Sequence, residues 1–247
     1  MKIISVYSIK GGVGKTATTV NLAYLASTEG YRTLICDLDP QGASSYYFRI
    51  KASKGFSSYK FIRGGKHIQN NIKGTDFDNL DLLPSKLSYR NLDLALDAEK
   101  KSKSKLKKIL KELTHDYDYI FLDCPPSISL ISENIFNASD YIFVPLIPTT
   151  LSVRTYVKLL KFFKKENLDR SKLFAFFSMV EKRKKMHNEI IETMINNNKY
   201  FLKTTIPYRS EIENMGLYRQ PIASYLKNSD GTRAYTNLWN EIKQIIS

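Results

Sequence analysis

Two cysteines, Cys36 and Cys124, are all that the 247-residue chain carries. That is too few for a disulfide framework or a cysteine-built zinc centre. Both sit in apolar runs, the setting of buried, reduced thiols in a cytosolic protein. Glycine and proline are sparse, at 11 and 8, which excludes collagen-like and low-complexity architecture. No apolar stretch approaches the ~20 residues that a membrane span needs. Met1-Lys2 leads into the apolar run 3–9 and then directly into glycines and lysines, so the start does not read as a signal peptide. A cytoplasmic protein is expected. Acidic residues are also scarce, with 24 Asp and Glu against 38 Lys and Arg and a net charge of +14. That excess suggests a polyanionic partner, either nucleic acid or an anionic membrane face; a lysine-favouring base composition would produce the same excess.

What is present is enough for a core. Hydrophobic residues make up 43% and charged residues 25%, which excludes a disordered chain. The length suits a single domain over 1–247. Short β-rich runs recur at 3–9, 33–36, 80–83, 119–124, 141–144 and 173–179, and helical patterns lie between several of them. The helix candidates are 16–28, closed by Gly30, then 104–113, 154–165, 188–196 and 231–246. The polar, aromatic stretch 43–79 reads as short helices and loops over one edge. Strands alternating with helices predict an α/β fold: a mostly parallel, twisted sheet with helices on both faces.

The strongest local signal follows the first strand: Ile9-Lys10-Gly11-Gly12-Val13-Gly14-Lys15-Thr16, opening a helix. Strand, glycine-rich turn, Lys-Thr and helix is the context of a P-loop NTPase. Glycines let backbone N–H groups converge on phosphate oxygens, and the helix dipole favours the anion. Lys15 would reach the β- and γ-phosphates, and the Thr16 hydroxyl would bind Mg²⁺. Ile9 stands where the usual motif has its first glycine, and a second lysine, Lys10, stands beside it.

That lysine placement resembles the deviant Walker A motif of the ParA/MinD family of P-loop ATPases. Asp37-Leu38-Asp39-Pro40-Gln41-Gly42 is similar to the family's first switch segment. Asp123-Cys124-Pro125-Pro126-Ser127 is similar to its Walker B and second switch. Leu82–Ser85, Pro145–Thr150 and the stretch from Ile206-Pro207 to Gln220-Pro221-Ile222 follow in family order, so the resemblance covers nearly the whole chain. Among family branches it resembles the ParA (Soj-like) partition ATPases.

The resemblance implies ATP and Mg²⁺ as cofactors, with Gly11, Gly12, Val13, Gly14, Lys15, Thr16 and Ala17 holding the phosphates. It implies that Lys10 crosses a homodimer interface to the nucleotide of the other subunit. Asp39 would position the attacking water, and Asp37 and Asp123 would hold Mg²⁺ through water. Adenine would stack near Met179, Pro207 and Tyr208. Non-specific double-stranded DNA would meet Lys182, Arg183, Lys184 and Lys185, with Arg183 on the family's DNA-contacting arginine. A second such position holds Glu211 here, for which Arg209, Lys227 or Arg233 would compensate. The implied partner is a ParB-like adaptor that stimulates hydrolysis, and the implied location is the nucleoid.

Two further classes are less well supported. A MinD-like membrane regulator needs a basic amphipathic C-terminal helix, but Trp239–Ser247 has one lysine and reads as core packing. An Fe–S ATPase needs bridging cysteines that Cys36 and Cys124 do not supply. No room precedes Met1 for a helix-turn-helix domain, so operator-specific binding is not expected. Lysines 100, 101, 103, 105, 107, 108 and 111 read as the solvated face of one amphipathic helix.

Overall fold

The computed structural model describes residues 1–246. Eight strands form one sheet across them: β1 (Lys2–Val6), β2 (Thr33–Asp37), β3 (Lys73–Gly74), β4 (Leu80–Leu83), β5 (Tyr119–Asp123), β6 (Tyr141–Leu146), β7 (Leu173–Val180) and β8 (Phe201–Pro207). Their order is β3-β4-β2-β5-β1-β6-β7-β8. Every neighbouring pair is parallel except the short β3–β4 edge. The expected α/β sheet is therefore the observed one.

Between the strands lie α1 (Lys15–Thr28), α2 (Ala43–Tyr47), α3 (Ser58–Arg63), α4 (Lys66–Gln69), α5 (Leu92–Asp97), α6 (Lys105–Lys111), α7 (Leu130–Ala138), α8 (Thr150–Lys165) and α9 (Lys185–Asn197). After β8 come α10 (Ser210–Glu213), α11 (Met215–Tyr218), α12 (Ile222–Tyr225) and α13 (Asp230–Ile246).

Every residue of β2 and β5 is buried, as central strands covered on both faces must be. Side chains alternate between two cores. Ile120 and Leu122 join the core under α3 and α5–α8, while Tyr119 and Phe121 join the one under α1 and α13. Gly30, at φ +89°, ends α1, and the Thr149 hydroxyl caps α8 by accepting from the Ser152 N–H at 3.3 Å. The last helix packs as expected, with Trp239, Ile242 and Ile246 almost fully buried.

Two features depart from the expectations. The 100–111 lysines do not share one helix, because 102–104 form a 3₁₀ turn and α6 starts at Lys105. β8, α5, α7 and α10–α12 lie where no element was expected. β8 carries Lys203, Thr204 and Thr205 mid-strand, which breaks its apolar run, and α7 interleaves buried Ser132 and Asn134 with its apolar residues Ile131, Ile135, Phe136 and Ala138, which blurs a short helical period. The basic loop 182–185 leaves the carboxyl end of β7.

Gly231 marks the tightest packing. A Cβ there would lie 2.7 Å from Ile222 Cδ1, 2.9 Å from Ile212 Cγ1 and 3.0 Å from Glu211 Oε1. Gly231→Ala is expected to cost about 1–3 kcal/mol by overpacking, read as a lower urea midpoint at unchanged slope.

Candidate functional site

The site is built at the carboxyl ends of β1, β2, β5, β7 and β8. Gly12 and Gly14 take left-handed φ values of +68° and +88°, which side chains with a Cβ rarely adopt. At Gly14 a Cβ would also come within 3.0 Å of Ser178 Oγ. The turn delivers the chain into α1, so the first N–H groups of that helix face the cleft mouth. Lys15 is buried, and its Nζ donates to the Lys10 carbonyl at 3.3 Å. Burial lowers its pKa, and the nearby Asp123 carboxylate opposes that shift. Lys10 is exposed and, among the described residues, its ammonium has no ion-pair partner.

Asp37 and Asp123 stand side by side because β2 and β5 run parallel in that register. Both are almost fully buried. Thr16 Oγ1 donates to Asp123 Oδ1 at 3.2 Å, and Ser44 Oγ donates to Asp123 Oδ2 at 2.7 Å. Ser45 donates to Asp37 Oδ2 twice, from its N–H at 2.8 Å and its hydroxyl at 2.7 Å. Asp37 Oδ1 is buried without a partner. Burial raises the Asp123 carboxyl to about 6, against the lowering effect of the Ser44 and Thr16 hydroxyls. Burial and then the Asp123 charge raise Asp37 well above the usual range. Two buried carboxylates with one open oxygen are a site short of positive charge. No group of three His, Cys, Asp or Glu among the described residues could hold a metal directly. A hydroxyl plus two carboxylates suits Mg²⁺, which keeps several of its waters.

Asp39 is half-buried on the cleft wall. Its Oδ1 accepts from the Gln41 N–H at 2.9 Å, and Oδ2 has no hydrogen bond among the described residues. The cleft itself is about 340 Å³, within the range of small-molecule sites. It runs from Gly11–Ala17 past Asp39 to Met179, Pro207 and Tyr208, and so brings together the expected phosphate and adenine residues except Val13, whose side chain is buried in the turn. Met179 has φ +56° and sits at an irregularity where β7 pairs with β8. Such strain in a non-glycine residue clusters at ligand sites. Tyr208 is half-exposed, with its N–H on the Val180 carbonyl at 3.0 Å.

Sequence reading missed Ser44 and Ser45, which grip the two carboxylates, and Tyr47 and Tyr235, which line the cleft. The doublet of serines after Gly42 was the available signal, but its targets are 79 and 8 residues away in sequence.

The basic loop is more ordered than its composition suggests. Buried His187 accepts from the Glu181 N–H at 3.2 Å, and Lys184 pairs with Glu181 at 2.5 Å. Lys185 pairs with Glu189 at 3.7 Å. Lys182 and Arg183 are exposed with no ion pair among the described residues. Arg209 pairs with Asp230 at 3.1 Å, and Asp230 also takes Arg233. Glu211 points the other way: its Oε1 accepts from the Gly231 N–H at 2.5 Å. It satisfies an orphan donor at the start of α13.

The AAA domain family (AAA_31) matches residues 1–176. The chain is 30% identical to the chromosome-partitioning ATPase Soj of Treponema pallidum, covering 94% of this chain and 93% of that one. It is also 30% identical to the sporulation initiation inhibitor protein Soj of Bacillus subtilis, covering 98% of each. A plasmid partition protein of Borrelia burgdorferi, solved bound to AMPPNP, superposes with a TM-score of 0.85 at 28% identity over 98% of both chains. With a Lys10-Gly-Gly-Val-Gly-Lys15-Thr16 phosphate loop and paired strand-end aspartates at the carboxyl edge of a parallel sheet, the chain belongs to the ParA/MinD-type family of P-loop ATPases.

Proposed function

We infer that the protein is an ATP-driven partition ATPase whose nucleotide state controls its hold on DNA. The observation that carries this reading is one continuous cleft, from the Gly11–Ala17 loop to Met179 and Tyr208, directly preceded in the chain by an exposed second lysine, Lys10, that has no ion pair among the described residues. Lys15 and the loop N–H groups bind the phosphates, and Met179, Pro207 and Tyr208 receive the base. Mg²⁺, when bound, supplies positive charge at the phosphate oxygens. Thr16 offers it a hydroxyl, and Asp37 and Asp123 orient its waters, with Ser44 and Ser45 fixing their rotamers. Asp39 orients the attacking water. Phosphoryl transfer asks the protein mainly for positioning and electrostatics, so one open carboxylate oxygen suffices. Lys10, free in a single chain, neutralises phosphate charge across a twofold pair, which makes the nucleotide part of a homodimer interface.

Dimerisation sets two copies of Lys182 and Arg183 on one assembly, and their summed charge holds duplex DNA by its phosphates without sequence preference. A ParB-like adaptor completes the hydrolytic site, and loss of the γ-phosphate releases the pair. Lys184, Lys185 and Arg209 are partly neutralised by Glu181, Glu189 and Asp230, so they contribute less. The C-terminal helix buries its apolar face and has none to offer a membrane. Arg183→Ala is expected to weaken ATP-dependent binding to random duplex about tenfold at 100 mM salt, a loss of ~1.4 kcal/mol. ATP-dependent dimerisation, read by light scattering, stays intact. Unchanged DNA affinity in that variant would overturn the surface assignment.

A further inference from the structure

The positive charge is not spread evenly over the molecule. Residues 100–111 contain seven lysines and no acid, and α8 contains Arg154, Lys158, Lys161, Lys164 and Lys165 and likewise no acid. Both segments lie on the same face of the sheet, because the buried sides of α6 and α8 join one core. They are stitched together through α7. Asn134 donates to the Ser102 carbonyl at 2.6 Å and Asn137 to the Lys103 carbonyl at 3.0 Å, while Phe136 packs on Phe163 with ring centroids 4.8 Å apart. Lys103 then bridges Glu133 at 2.7 Å and Glu166 at 3.3 Å, beside the end of α8. The acids at the junction are thereby consumed by one lysine, and Lys105 takes Glu99. Lys107, Lys108 and Lys111 on α6 are exposed, as are all five cations of α8, and none has an ion-pair partner among the described residues.

Topology places this surface away from the loop 182–185. α6 leads into the amino end of β5 and α8 into that of β7, whereas the phosphate loop and the basic loop leave the carboxyl ends of β1 and β7. The C-terminal lysines of α6 and α8 therefore sit at the opposite end of the sheet from the nucleotide. A pair of chains joined at the nucleotide face would carry this surface outward at both ends.

We propose that the acid-free crest of α6 and α8 is a second duplex-binding surface, open in every nucleotide state. The choice of DNA among polyanions rests on the partition reading above. The surface also fits it physically. From Arg154 to Lys165 the crest spans about 16 Å at 1.5 Å per residue, matching about five phosphates of one strand at 3.4 Å each. Its cations are nearly all lysines, point charges suited to a phosphate backbone rather than to base edges. A membrane surface would ask for an apolar wedge between the cations, whereas the apolar residues of α6 and Tyr156, Leu159 and Phe163 of α8 face the core, which leaves Leu151, ahead of the first cation, and the small Val157 as the most exposed apolar side chains of α8. With such a surface at each end, one dimer can bridge two duplex segments.

The test is binding of a random-sequence duplex to the full chain in ADP at three salt concentrations. One variant combines Lys107→Glu, Lys108→Glu and Lys111→Glu; another combines Lys158→Glu, Lys161→Glu and Lys165→Glu. Lysine-to-glutamine sets cover the case in which reversal unfolds the chain, and basal ATP turnover, at the far end of the sheet, reports intact folding. Wild type is expected to bind weakly in ADP, with affinity falling steeply as salt rises. Each triple variant is expected to lower the slope of log K against log salt by about 2.7, at about 0.9 per lost phosphate contact, whereas Arg183→Ala leaves the ADP-state affinity unchanged. No DNA binding by wild type in ADP, an unchanged slope in both triple variants, or capture by phosphatidylserine vesicles but not by duplex would each overturn the proposal. Loss of the ATP-dependent gain alone, with lysine-dependent ADP-state binding intact, would instead count against the partition reading.

Discussion

Lys15→Ala is expected to lower ATP affinity at least ~100-fold, the scale of truncating one partner of a desolvated, charge-assisted contact. The ammonium is buried at the cleft floor between the Lys10 carbonyl and the Asp123 carboxylate. Without it, the Asp123 and Asp39 carboxylates, which both act on the Lys15 ammonium, lose the cation that offsets them where the triphosphate enters. The variant thus loses an attraction and uncovers a repulsion. Equilibrium binding of a fluorescent ATP analogue checks this, and Lys10→Ala serves as the comparison. Lys10 is exposed and has no ion pair among the described residues, so its loss should spare monomer binding and abolish ATP-dependent pairing.

Asp39→Ala is expected to reduce turnover about 100-fold or more, the usual contribution of a positioned acid–base or water-orienting group. Nucleotide affinity should change little, because Asp39 lines the cleft wall and its side chain hydrogen-bonds to the Gln41 N–H rather than to the Gly11–Thr16 loop. The segment that carries it is held at both ends. The Ser85 hydroxyl donates to the Asp39 carbonyl, and Ser45 fixes Asp37 two residues earlier. Truncating the carboxylate therefore leaves the backbone in place. With hydrolysis blocked, the ATP-bound pair should accumulate on DNA and resist release by the adaptor. Single-turnover phosphate release, with DNA residence time measured in parallel, separates this outcome from simple loss of binding. Normal phosphate release would remove Asp39 from the water-orienting role.

The sequence made the site more legible than its support. The phosphate loop is contiguous, and its chemistry demands glycines and a Lys-Thr pair at fixed spacing. Asp37 and Asp123 were placed at one Mg²⁺ by the family resemblance of the segments that carry them, and the parallel β2–β5 register sets them side by side. Ser44 and Ser45 were not legible, since a hydroxyl that grips a carboxylate across the sheet leaves no local pattern. α7 escaped notice because it is short and widens its apolar face of Ile131, Ile135, Phe136 and Ala138 with buried Ser132 and Asn134, both satisfied by long-range or capping hydrogen bonds. Glu211 read as a defect in a DNA surface. In the fold it caps α13 through the Gly231 N–H, and the tight packing around Gly231 leaves a carboxylate, rather than a guanidinium, the group that fits there. The lysines from 100 to 111 read as one helix face because composition does not reveal the 3₁₀ turn that carries Lys103 over α7.

The central claim is that nucleotide state sets the grip on DNA. The most direct measurement is the affinity for one random-sequence duplex with ATP, with ADP and with no nucleotide, each at three salt concentrations. The account predicts weak, salt-sensitive binding with ADP or without nucleotide. With ATP it predicts at least tenfold tighter binding and a steeper salt slope, because a dimer neutralises more phosphates than a monomer. Equal affinities and equal slopes in all three states would contradict it.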